Sequence, residues 1–120
     1  MGREQFNNTV KVEWHPLHNR NMILLEDVTF TDKNGIEWLA PEFSVIDGAS
    51  IPRFFWRVIG SPFIGKYRRA SVIHDVWCET KERPDQEVHD MFLEAMLADG
   101  VSEKKAATMY QAVNTFGPRW

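Results

Sequence analysis

His74 and Asp75 stand side by side in Ala70-Ser71-Val72-Ile73-His74-Asp75-Val76-Trp77-Cys78 and are the first residues here whose types suggest chemistry. A histidine offers a base near neutral pH, and a carboxylate can orient an imidazole or hold a hard cation. On a helix, however, neighbours diverge by about 100°. Asp75 is therefore a poor partner for His74 and better suited to binding a metal. The orienting carboxylate must come from another element, and Asp90 on the following helix is the natural source, with the Glu79–Arg83 turn bringing the two faces together. The dipeptide alone equally describes a hydrogen-bonded core histidine beside a solvated aspartate.

The run Asp47-Gly48-Ala49-Ser50-Ile51-Pro52 is the second candidate. Asp47, Gly48 and Ser50 could line an oxygen-rich cation site or an anion nest, because glycine lets backbone approach a ligand. The run lacks the length and lysine of a phosphate-binding loop, and it is not a Gly-x-Ser-x-Gly elbow. A turn between sheet and helix explains it as well. Lys66-Tyr67-Arg68-Arg69, with Arg53 and Arg57 upstream, is the third. Arg69 could clamp a phosphate or carboxylate, or the run could be a solvated helix start whose charge Asp75 or Glu79 offsets. Trp56 and Trp77 among these arginines suit an interface. His15 and His18, with His74 and His89, could assemble a transition-metal site. Cys78, one turn beyond His74, could form a dyad with it or be a small buried thiol.

These residues need elements to hold them. Val10 to Trp14 alternates as a half-buried strand does, and Met22 to Phe30 reads as a second strand. Thr31 to Gly35 is a turn, after which Ile36, Trp38, Phe43 and Val45 continue a third strand interrupted near Pro41. Arg53 to Ile59 is a short helical piece. Tyr67 to Cys78 forms the first long helix, with His74 on the flank of its apolar arc. A second helix runs from Pro84 to Asp99-Gly100, with His89 inside its wide arc and Asp90 at the edge. Ser102 caps a third, stopped by Gly117-Pro118. The expected fold is α+β, one domain over residues 1–120: a small antiparallel sheet in the N-terminal half packed against a bundle of about three helices.

Composition bounds the function. A net charge of −3 argues against a dedicated nucleic-acid binder, which would be strongly basic. With 43% hydrophobic and 26% charged residues the chain is an ordinary globular one rather than a disordered one. A single cysteine excludes an internal disulfide and a multi-cysteine zinc cluster. The apolar runs are too short to span a bilayer and no signal peptide is visible, which suggests a reducing cytoplasm.

Phe43 to Pro52, Gly65-Lys66-Tyr67, Ala70 to Asp75, Asp90-Met91-Phe92, Met109 to Val113 and Phe116 to Trp120 together resemble an uncharacterised family of small phage and prophage proteins. That resemblance covers about Phe43 to Trp120 and implies a phage setting, the infected cell or the virion, without an activity. In layout the chain is also similar to small secreted phospholipases A2. This second resemblance implies His74 activating water, Asp90 orienting His74, and Asp75 with loop carbonyls holding calcium. The flanking cysteines, the helix spacing and the loop motif of those enzymes are absent. Two functions are therefore expected to compete. One is a His/Asp-dependent, metal-assisted hydrolase of ester or phosphodiester bonds in a small-molecule substrate. The other is a non-catalytic phage assembly component or a host-factor or small-ligand-binding module in which His74 and Asp90 form a structural polar pair. Access to the His74 ring separates them.

Overall fold

A computed structural model describes residues 5–7, 9–14, 21–48, 50–59 and 65–120. His15 and His18 lie outside them. Six short strands form two three-stranded antiparallel sheets rather than one. β1 (Gln5–Phe6), β4 (Val28–Thr31) and β5 (Glu37–Ala40) lie in the order β1-β4-β5, and β2 (Val12–Trp14), β3 (Met22–Leu24) and β6 (Val45–Ile46) in the order β2-β3-β6. The expected second strand is thus cut at Leu25-Glu26-Asp27, its halves serving different sheets, and the expected third strand is divided likewise around Pro41. Proline cannot donate to a ladder, and past it Phe43 takes a φ of 68° that turns the chain out of the first sheet.

Period-two patterning sets which faces are buried. Val28, Phe30, Trp38 and Ala40 point into the core while Leu39 faces out. The register pairs Phe30 with both Phe6 and Trp38. The β4–β5 turn is built around Asp32. Its Oδ1 accepts from Asn34 N and Ile36 N, its Oδ2 accepts from Trp38 Nε1 at 3.0 Å, and Gly35 takes the positive φ, 80°, that the turn demands.

The helical half matches its sequence signals closely. A 3-10 turn (Arg53–Phe55) leads into α1 (Trp56–Ile59), and a second one (Gly65–Tyr67) into α2 (Arg68–Thr80). α3 covers Asp85–Ala98, with Asp85 and Glu87 at its positive end. α4 covers Glu103–Phe116, with Ser102 Oγ accepting from Lys105 N. α2 is the middle layer, packing against α3 on one side and β4, β5 and β6 on the other. Trp77 on α2 meets Trp38 edge-on and donates its Nε1 proton to Leu39 O, tying helix to sheet edge. No helix among the described residues is long and apolar enough to cross a membrane.

Asp32→Ala removes three acceptor contacts and leaves the buried Trp38 indole N–H without its partner. A loss of about 1–3 kcal/mol in urea unfolding is expected, and Trp38→Phe in the Asp32→Ala background should restore part of it.

Candidate functional site: a sealed serine–histidine–histidine network

His74 comes from the second turn of α2, on the side that meets α3 and the loop before α1. Its ring stacks on Phe92 and is entirely buried. Both ring nitrogens are engaged, Nδ1 with Ser50 Oγ at 3.1 Å and Nε2 with His89 Nδ1 at 2.9 Å. His89 Nε2 in turn lies 3.1 Å from Pro118 O. A carbonyl only accepts, so His89 carries its proton on Nε2 and presents a lone pair on Nδ1. With one proton per ring, His74 then donates from Nε2, and its Nδ1 accepts from the Ser50 hydroxyl. Four groups, from the loop, α2, α3 and the tail after α4, form one directed chain.

Asp75 serves the same loop from the next position. Its Oδ2 accepts from Asp47 N at 3.2 Å and its Oδ1 from Ser50 N at 3.3 Å, and it competes with His74 Nδ1 for the single proton of the Ser50 hydroxyl. Gly48, at a φ of 75°, gives the loop the curvature that aims these amides at one carboxylate. Burial, and then the charge of Asp47, push the Asp75 carboxyl up to about 6 despite those hydrogen bonds. Burial, then the neighbouring His89, holds the His74 imidazole well below its ordinary value, and burial lowers His89 too.

The structure therefore unites Ser50, His74 and Asp75 with the loop of Asp47 and Gly48, but it does not add Asp90. The Asp90 carboxylate bonds to Tyr110 OH and Gln86 Nε2. It faces a groove of about 880 Å³ whose walls include Lys33, Trp38, Met91 and Glu94, and none of the His74 network lines that groove. His74 is held instead by His89. His89 sits inside the buried arc of α3 and Asp90 at its edge, so the helical wheel itself favoured the histidine. Asp75 also differs from the calcium arrangement: the loop offers it N–H donors rather than sharing carbonyls with it around a cation.

Arg69 forms a two-point ion pair with Asp99, 3.0 Å at Nε, and lies over the Phe6 ring. Asp99, rather than Asp75 or Glu79, offsets its charge. Trp56 is half-buried against the core. Cys78 is buried, with Sγ 3.6 Å from His74 Nε2. Burial and the charges of Asp75 and Asp85 push its thiol up to about 12, which opposes a thiolate nucleophile.

Comparison with known proteins places the chain in a family. Residues 22–113 match the family described as "Protein of unknown function (DUF1353)", and the chain belongs to it. It is similar to the uncharacterized protein y4jT of Sinorhizobium fredii, 50% identical over 97 residues, which are 81% of this chain and 29% of that protein. It is also similar to y4iH of the same organism, 41% identical over 98 residues, 82% of this chain and 41% of that one. The chain thus spans less than half the length of these curated relatives. No solved structure matches.

The titrations oppose one another. The folded histidines resist protonation, so stability falls as pH drops through about 6.5 and the unfolded imidazoles take up protons. Folded Asp75 holds its proton up to about 6, so its contribution rises as pH drops from there towards 4. Asp75→Asn removes that opposing gain. Its stability should decline more steeply than wild type between pH 6 and 4, as read by urea midpoints across that range.

Proposed function

We propose that the chain is a non-catalytic interaction module that the His74 network holds in shape. The observation that carries this reading is that His74 has no exposed surface, with both ring nitrogens satisfied internally. A general base needs its nitrogen within reach of a substrate proton, and the one groove described above lies elsewhere. Removing one member of such a network leaves a buried polar group unsatisfied, so the network fixes geometry strongly.

The working surface on this reading is aromatic. Phe54 and Phe116 are 56% and 62% exposed, yet they meet edge-on at 5.5 Å, and Phe54 also packs on Phe55. Exposed, mutually braced aromatic rings are the kind of feature that protein interfaces use. The partner would be another protein, a virion or host component if the phage setting holds. A unit that occupies under half of its relatives' length suits a module joined to other segments.

A second reading, ester hydrolysis, draws on the hydrogen-bond direction. Ser50 donating to His74, itself oriented by His89, has the nucleophile–base–orienter order of acyl-transfer enzymes. It requires the Asp47–Ile51 loop to lift off Asp75.

A serine-reactive fluorophosphonate probe with a thermal melt separates the two. For the module, Ser50 stays unlabelled and His74→Gln lowers stability by about 2–4 kcal/mol, roughly 10–20 °C in Tm. Labelling at Ser50 that vanishes in a still-folded His74→Gln variant would overturn the module in favour of the hydrolase. Phe54→Ser with Phe116→Ser should leave the melt nearly unchanged while abolishing partner binding.

A further inference from the structure

We propose that His74, Cys78 and His89 form a binding site for one zinc-type divalent transition-metal ion, with His74 Nε2, His89 Nδ1 and Cys78 Sγ as ligands. The three ligand atoms lie within 4.8 Å of one another, and all three residues are buried. Tetrahedral zinc with thiolate and imidazole ligands sets S···N at about 3.5 Å and N···N at about 3.3 Å, given its usual bond lengths. Cys78 Sγ stands 3.6 Å from His74 Nε2 and the two nitrogens are 2.9 Å apart, close to those spacings, while the third side, Cys78 Sγ to His89 Nδ1, lies within 4.8 Å and must shorten by up to about 1.3 Å to admit the ion.

The surroundings are those of a metal site as well. Ligating histidines characteristically donate their other N–H to an oxygen acceptor, which fixes the ring and its tautomer. His89 Nε2 does so to Pro118 O, and His74 Nδ1 has Ser50 Oγ, itself bonded to the Asp75 carboxylate. The Ser50 hydroxyl owns a single proton. When it points to Asp75, its oxygen accepts from His74 Nδ1–H, and His74 Nε2 and His89 Nδ1 then confront each other as two lone pairs. A proton or a cation must stand between them, and Cys78 Sγ approaches from the side.

Charge supports the ion. A divalent metal, the Cys78 thiolate and the Asp75 carboxylate sum to zero in a region without solvent, whereas separate charges there are costly. Binding transfers the thiol proton to solvent and forms one metal–sulfur and two metal–nitrogen bonds. One thiolate and two imidazoles favour zinc or its cobalt substitute over calcium or magnesium. No fourth His, Cys, Asp or Glu joins the group among the described residues, so these side chains supply three of the four tetrahedral positions. This site stands independently of the aromatic surface. It is incompatible with Ser50 donating to His74, because the metal-bound state turns that hydroxyl to Asp75.

The test uses the untagged chain, stripped with chelator and titrated with Co(II), then Zn(II). One equivalent of cobalt should bind with a thiolate-to-cobalt charge-transfer band in the near ultraviolet. Zinc should displace it and, at about 1,000-fold excess over Kd, raise Tm by roughly 15–25 °C. Cys78→Ala should lose the band and weaken zinc binding at least roughly 100-fold, while His15→Gln with His18→Gln should change nothing. The proposal is overturned if wild type takes up no metal, if cobalt binds without a thiolate band, or if the His15/His18 variant abolishes uptake. Should Cys78→Ala fail to fold, the wild-type band still decides, since Cys78 is the chain's single cysteine.

Discussion

Two imidazoles set 2.9 Å apart with no solvent between them can arrange their protons in only a few ways, and each way fixes a neighbour. The contact joins α2 to α3. Through the outer nitrogens it reaches the loop at Ser50 and the tail at Pro118, so four chain segments far apart in sequence share one hydrogen-bond assignment. Apolar packing around Phe92, Ile73 and Met96 excludes the water that would otherwise substitute for any missing partner. Hydrogen bonding therefore specifies what hydrophobic burial only compacts.

The helices were largely legible in the sequence because their signals are local. Ser102 as a cap, Pro84 before α3, and Gly117-Pro118 after α4 act within one or two turns, and the structure places the helix ends there. The sheets were less so. Alternation along Met22–Phe30 reveals extended chain but not that Leu25-Glu26-Asp27 hands it from one sheet to another, since strand partners are chosen by long-range pairing. The two-residue strands β1 and β6 are too short for a period to show.

The candidate site divides in the same manner. Pairing the Asp47–Ser50 turn with the His74-Asp75 helix was within reach of residue types and order. Choosing the partner of His74 took the helical wheel as well, which favours His89, whereas chemical habit favoured a carboxylate. Asp90 lies beside His89, and one position rotates a helical side chain by about 100°. That single step carries the carboxylate out to Tyr110 and the imidazole into the core. Membership of the DUF1353 family adds kinship here and no chemistry, so the buried network and the aromatic surface must carry the functional argument themselves.

Cys78 gives the molecule a built-in clock. Its thiol lies at the α2–α3 seam, buried and raised far above the pH of ordinary solutions, and alkylating reagents act on the thiolate. Reaction therefore waits for the seam to part. When reclosing outpaces alkylation, the observed rate is the thiol's intrinsic rate multiplied by the fraction of molecules open, so it measures the free energy of that opening. With no second cysteine in the chain to confuse the count, the cohesion of the layer that holds His74 and His89 can be followed on the native protein without denaturant.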